Sequence, residues 1–231
     1  MRLTAPLTRP LAAREGYRRW AASYGDENPV TALDAAAVRQ LTPPLAGKAL
    51  LDAGCGTGSR LAALDGDRPE RAVGVDLVRE MVRRGREIAP GLRLAVGDVR
   101  SLPCESGGFD VVWCRLVVGY VSELRAAYAE LGRVTRPGGC VIVTDFHPAA
   151  VRARLARSCW DERGRAHVLE HHTHEPEDHR MAAARAGLFL DLSLDLAVGP
   201  DVQPFYAAAG MIDRYEEQRG LPLVLALRFA K

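Results

Sequence analysis

The sequence predicts an α/β protein built on a mostly parallel sheet with helices on both faces. Short apolar runs and helix-period segments alternate five times between residues 49 and 144, the spacing of parallel strands joined by crossover helices. The first run empties into a glycine-rich loop and the second ends in an acid, where open parallel sheets carry their ligands. The last third adds two strand-like runs, the final one with no helix after it, which suits an antiparallel edge. At 231 residues this is one domain with decorations.

Residues 11–40 read as helical, with Tyr17, Trp20 and Tyr24 on one face. Pro43 and Pro44 punctuate before the first strand, Ala49–Ala53. A helix over 60–64 follows the glycine loop. Residues 72–76 form the second strand, 78–88 a helix, 92–96 the third strand and 109–113 the fourth. A helix over 123–134 stops at Pro137-Gly138-Gly139, a turn into a fifth strand over 140–144. Beyond it, 166–174 reads as an extra strand, 177–187 as a helix ending at Gly187, 189–198 as a strand with one wet face, and 221–229 as the closing strand.

Composition narrows the function classes. Lys and Arg number 31 against 29 Asp and Glu, so no general electrostatic pull toward nucleic acid is expected. No apolar run reaches a membrane-spanning length. Residues 1–14 lack a continuous apolar core and read as an N-terminal arm rather than a secretory signal. The five cysteines form no C-x-x-C pair, which suits a reduced, cytoplasmic setting.

The chemistry starts at Leu51-Asp52-Ala53-Gly54-Cys55-Gly56-Thr57-Gly58. Strand, glycine loop, helix is the context of a nucleotide-binding turn. Yet Ser59 stands where a dinucleotide fingerprint wants its third glycine, and no Lys-Ser/Thr pair follows. Asp52 would repel a pyrophosphate and suits an ammonium or sulfonium. Asp76, ending the second strand, can accept hydrogen bonds from both hydroxyls of a ribose. The pattern describes a ligand with a ribose and a positive charge but no diphosphate.

Residues 50–58 closely resemble motif I of the class I S-adenosylmethionine-dependent methyltransferases, in their methyltransferase type 11-like branch. The resemblance continues in order through Gly74-Val75-Asp76-Leu77 with Met81, Gly97-Asp98-Val99, Phe109-Asp110-Val111-Val112 and Arg136-Pro137-Gly138-Gly139. It implies a Rossmann-like sheet of seven strands, ordered 3-2-1-4-5-7-6, with the last strand antiparallel. It implies S-adenosylmethionine as cofactor, held by Asp52, Gly54, Cys55, Gly56 and Gly58. Asp76, Leu77 and Met81 fall at the ribose, and Gly97, Asp98 and Val99 at the adenine. Cys114 and Arg115 are expected along the cleft past the fourth strand. Residues 1–44 become a helical lid whose Tyr24 reaches the methionine moiety. Residues 45–147 form the cofactor core, and 148–231 the acceptor-side elements and closing strands.

The methyl acceptor is expected to be a small molecule, oxygen slightly favoured over nitrogen or carbon. All six histidines lie at or beyond residue 147. His147, at the end of the fifth strand, is a candidate general base or acceptor-orienting donor; the alternative is a loop histidine without chemical role. In Glu170-His171-His172-Thr173-His174, a strand would put His172 and His174 on one face. They are catalytic candidates; the spacing matches no standard zinc pattern, so no metal is expected. Tyr17, Trp20 and Tyr24 either cap the ligands or pack as core. Asp145 either orients a base or makes a structural hydrogen bond. Arg152, Arg154 and Arg157 read as a solvated helix face, with an acceptor carboxylate or phosphate as the other reading.

Cys114-Arg115-Leu116-Val117 stands where a nucleic-acid amino-methyltransferase would carry Asn/Asp-Pro-Pro-Tyr/Phe. The expected partners are thus a small acceptor, no nucleic acid and no membrane, for a monomer or homodimer. A nicotinamide-dependent oxidoreductase and a non-catalytic S-adenosylmethionine-binding partner are the alternatives.

Overall fold

A computed structural model describes residues 9–25, 27–64, 66, 68–161 and 163–231. Most of the expected N-terminal arm, residues 1–8, lies outside the described residues. Two helices open the chain, α1 (Ala13–Trp20) and α2 (Pro29–Leu41). The single helix expected over 11–40 is thus two. Asn28 caps α2 reciprocally with Thr31, and Pro29 occupies its first turn, a helix start that interrupts the longer periodic pattern.

Then come β1 (Ala49–Ala53), α3 (Ser59–Ala62), β2 (Arg71–Asp76), α4 (Arg79–Ile88), β3 (Arg93–Val96), β4 (Phe109–Arg115), α5 (Leu124–Val134) and β5 (Thr135–Phe146). The second half holds α6 (Pro148–Arg152), β6 (Ser158–Trp160), β7 (Ala166–Val168), α7 (Pro176–Arg185), β8 (Phe189–Ala197), α8 (Gln203–Ala208), α9 (Ile212–Gln218) and β9 (Pro222–Ala230). The main sheet runs β3-β2-β1-β4-β5-β9-β8, and β6 pairs with β7 in a separate ribbon. With the ribbon set aside, this is the Rossmann-like order 3-2-1-4-5-7-6. Strands β1 to β5 pair in parallel, and β9 is antiparallel to both β5 and β8.

Period-two alternation sorts the strands onto two cores. Leu51, Val112, Cys114 and Val143 face α5 with Tyr128 and Leu131. Leu50, Val111, Trp113 and Ile142 face α2 with Val38 and Leu41. Each fully buried large side chain contributes roughly 1.5–3 kcal/mol, so both faces hold the strand tips in fixed register.

Two further expectations change. Pro137-Gly138-Gly139 lies within the bulged start of β5 rather than ahead of it, where Thr135 pairs with Phe109 and Cys140 with Val111. The strand expected over 166–174 stops at Val168, so strand alternation does not govern His171, His172 and His174. Among the described residues no helix is long and apolar enough to cross a membrane.

Candidate active site

The tip of β1 turns on glycines in the left-handed region, Gly54 at φ 89° and Gly56 at φ 59°. The N–H groups of Gly54 and Cys55 both donate to the Val75 carbonyl, at 2.7 and 3.0 Å, tying the loop to β2. A Cβ on Gly54 would sit 2.1 Å from Val117 Cγ2, so no larger residue fits there.

Asp76 organises the next corner. Its Oδ2 accepts from Gly56 N–H and its Oδ1 from Val78 N–H, each at 2.8 Å. Each oxygen keeps a second lone pair toward the cavity that Asp76 lines. Burial raises its pKa against those two donors. Asp52 lies behind the loop, fully buried, with neither oxygen hydrogen-bonded. Burial raises its pKa too, and the Arg60 and Arg115 guanidiniums oppose that rise only in part. Arg60 lines the cavity, and its Nη1 has no hydrogen-bond partner. An acid without hydrogen bonds, in the field of an incompletely bonded guanidinium, suits a zwitterionic amino-acid head.

Leu77, Gly97, Asp98 and Val99 line the same cavity. Asp98 is already engaged by Arg100, whose guanidinium reaches it at 2.6 Å and whose N–H reaches it at 2.9 Å. That pairing lowers the Asp98 pKa.

At the tips of β4 and β5 stands a network that the sequence did not disclose. Arg115 donates twice to Asp34 Oδ2, at 3.1 and 2.7 Å, and Thr144 donates to Asp34 Oδ1 at 2.6 Å. Burial alone would raise the Asp34 pKa, but the guanidinium beside it lowers it below the ordinary value. Thr144 Oγ1 also accepts from Leu116 N–H at 3.0 Å, which helps hold Leu116 at φ 57°, a left-handed conformation costly for leucine.

Several expected cofactor residues sit elsewhere. Cys114 is wholly buried in the α5-side core. Neighbours on one strand point to opposite faces, so Arg115 and Cys114 cannot both line the cleft. Met81 is wholly buried against Ala21, Val78, Tyr17 and Tyr24 and does not itself line the cavity. Cys55 packs into the α2-side core, and burial pushes its thiol and that of Cys114 up, away from nucleophilic thiolates. Gly58 turns the chain into α3 without lining the cavity.

The other side of the cavity is aromatic. Tyr17 stacks on Trp20 with ring centres 5.8 Å apart, and Tyr24 meets Trp20 at 5.0 Å. The Tyr17 and Tyr120 hydroxyls lie 3.0 Å apart. Arg157 Nε donates to Tyr120 at 3.4 Å, and its guanidinium stands 6.0 Å from the Phe146 ring centre. The three arginines expected on one helix face are thereby separated. Arg152, on α6, pairs with Glu175 at 2.7 Å. Arg154 lies past the helix end at φ 61°, and Arg157 reaches the cavity.

The histidines divide as well. His147 Nδ1 accepts from Ala149 N–H at 3.0 Å and caps α6, while Nε2 lies 3.3 Å from Asp195. Both ring nitrogens are engaged and the residue does not line the cavity, so this geometry does not support the base reading. His174 Nε2 bonds the Val121 carbonyl at 2.8 Å, and its ring packs edge-on against His179, a structural placement. Asp145 lies 3.6 Å from both His171 and His179, so it faces those rings rather than His147. His179 bonds Tyr128 at 2.9 Å, and burial lowers its pKa. His172 alone of the three candidates lines the cavity. Among the described residues no group of acidic, histidine and cysteine side chains could hold a metal ion.

The cavity joining these parts has a volume of about 1470 Å³, above the roughly 300–1,000 Å³ of an ordinary small-molecule site. Residues 51–143 match the family model of the methyltransferase domain. A malonyl-[acyl-carrier protein] O-methyltransferase of Dechloromonas aromatica is 32% identical over 89% of this chain and 78% of its own length. The chain belongs to the class I S-adenosylmethionine-dependent methyltransferases. A second malonyl-[acyl-carrier protein] O-methyltransferase, from Serratia marcescens, is 38% identical over 42% of this chain, a match that spans 37% of that relative. The crystal structure of an S-adenosylmethionine-dependent methyltransferase from Mesorhizobium loti superposes with a TM-score of 0.67 at 19% identity, over 86% of this chain and 98% of that one. The methyltransferase's cofactor is S-adenosylmethionine, and the residues fit it. Asp76 offers two acceptors, the glycine turn carries no side chain in the way, and Asp52, behind that turn rather than in the cavity lining, is a buried acid with no hydrogen-bond partner.

Proposed function

We propose that the enzyme transfers the methyl group of S-adenosylmethionine to an oxygen of a small-molecule acceptor. The acceptor lies beside Tyr17, Tyr120, Arg157 and His172. The observation that carries this reading is the single cavity running from the tips of β1 and β2 to those side chains, large enough for two ligands end to end. The O-methyltransferase name of the Dechloromonas relative supports oxygen as the methylated atom.

When bound, the cofactor supplies a methyl group already activated by its sulfonium. Asp76 accepts from the ribose hydroxyls, with Leu77 beside it. Gly97, Asp98 and Val99 border the adenine. Gly54 and Gly56 let the backbone approach, and Tyr24 borders the methionine end. Asp52 offsets the ammonium, through water or directly, and Arg60 the carboxylate of that head. Arg115, locked by Asp34, holds the tip of β4. The aromatic wall excludes water and fixes the acceptor in line, the main source of rate in such a displacement. His172 orients the acceptor and takes its proton where the acceptor is a hydroxyl.

Five free cysteines support action in a reducing compartment such as the cytoplasm. The near balance of charge supports an acceptor other than a nucleic acid. Incubation with methyl-labelled cofactor and a small-molecule extract, followed by mass spectrometry, tests the reading. Label on oxygen is expected; label confined to nitrogen or carbon overturns it.

A further inference from the structure

Three arginines that line the cavity, Arg60, Arg115 and Arg157, are not equivalent. Arg115 is neutralised by Asp34 at 2.7 Å. Arg60 lies in the field of Asp34 and Asp52. Arg157 has tyrosine hydroxyls as its polar surroundings, and Phe146 on a flank. Among the described residues no carboxylate stands within ion-pair distance of it. A half-buried guanidinium without a counter-ion is a costly arrangement, and the cost falls when a ligand brings the anion.

The hydroxyls beside it are also incompletely used. Tyr17 and Tyr120 have two hydroxyl hydrogens between them, and their mutual bond consumes one. Tyr120 accepts from Arg157, so the second hydrogen is left for a ligand oxygen. A guanidinium and a neutral phenol on one rim match the two oxygens of a carboxylate. Trp20, Trp160 and Leu155 complete the rim, and their low polarity strengthens such a pair.

We infer that Arg157, with Tyr17 and Tyr120, is the anchor for a carboxylate on the methyl acceptor, and that the reaction yields a methyl ester. The inference rests on the oxygen-transfer reading above and deepens it. One carboxylate oxygen forms the bond to the methyl carbon, and the methyl–sulfur bond breaks with its electron pair left on sulfur. No proton moves, because a carboxylate is already ionised at neutral pH. The site therefore needs no general base, which agrees with the structural engagement of His147 and His174. The cofactor's own carboxylate has a separate cation in Arg60, on the helix after the glycine turn.

The test uses the full chain as wild type, Arg157→Gln and Arg157→Lys, with folding checked by circular dichroism. Calorimetry reads the affinity for S-adenosylhomocysteine. Methyl transfer from labelled cofactor is followed to malonyl-coenzyme A, a carboxylate on a thioester, and to free butyrate, malonate and benzoate. The two arms distinguish a carried acid from a free one. Alkali then separates methyl esters, which release labelled methanol, from alkali-stable ethers and amines. The expected result is alkali-labile label in one arm. Arg157→Gln should lower kcat/KM by about 100-fold, mainly through KM, with S-adenosylhomocysteine affinity within about twofold of wild type and partial recovery in Arg157→Lys. The inference is overturned if no carboxylate in either arm is methylated, or if Arg157→Gln weakens S-adenosylhomocysteine as much as the acceptor. Alkali-stable label on an extract hydroxyl would overturn it while leaving oxygen transfer standing; label only on nitrogen or carbon would sink both.

Discussion

At the tips of β1 and β2 the cleft is backed by acids. Asp52 has no hydrogen-bond partner, and Asp76 is met only by main-chain N–H groups. Across the cleft, between α1 and β6, it is bordered by rings and by Arg157, a cation met by hydroxyls. Between the two ends sits a closed account of charge, Arg115 with Asp34 and Thr144. Where opposite charges satisfy one another the network is scaffold. Where a charge stays uncompensated the fold carries a cost that a ligand can offset. The comparison separates residues that hold the cleft from residues that wait for its contents.

The largest expected effect falls on the scaffold. Asp34→Ala leaves Arg115 buried without its partner and should cost about 3–5 kcal/mol of stability, read from urea denaturation. Because the folded pKa of Asp34 lies below its ordinary 3.8, the pair contributes above that value and is lost as pH falls through the folded pKa. A loss no larger than that of a surface substitution would erase the distinction between the middle of the cleft and its ends.

Asp76→Ala should weaken cofactor binding by about 1–3 kcal/mol in calorimetry through lost ribose hydrogen bonds. Unchanged affinity would move the ribose away from β2. Asp52→Asn should do two opposite things: stabilise the ligand-free protein by about 1 kcal/mol and weaken the cofactor by about tenfold. Burial raises the folded pKa of Asp52 above its ordinary 3.8. The wild type therefore loses stability relative to the variant as pH rises from that value through the folded pKa. Cofactor affinity moves the other way, since the cation needs the ionised acid. Parallel melting curves of wild type and variant at every pH would remove Asp52 from the waiting class.

The smallest effect is expected at His147. His147→Ala removes a helix cap, which should cost about 0.5–1 kcal/mol, with turnover on the methylated acceptor unchanged. His172→Ala is the companion measurement. A larger loss of turnover there than in His147→Ala sharpens the division between capping and cavity-lining imidazoles, and the reverse order breaks it.

The cofactor half was legible because its signals are local. A left-handed turn needs glycine, a strand alternates every second residue, and an acid at a strand end has few places to go. Strict use of the same alternation would have separated Cys114 from Arg115, which were both expected along the cleft. The acceptor half resisted reading because its partners are far apart in sequence. Asp34 meets Arg115 across 81 positions and Tyr17 meets Tyr120 across 103, and no local pattern encodes such pairs. Asn28-Pro29 did signal that the first helix breaks, but the aromatic spacing masked it.

By itself, then, the order of residues determined the sheet, its glycine turn and the kind of cofactor, since short-range sterics and periodicity dictate each of them. Which histidine borders the cavity, which arginine lacks a counter-ion and which aspartate locks the tip of β4 were decided only by tertiary packing. Neutralisation of charge depends on distance in space, and the fold alone sets those distances.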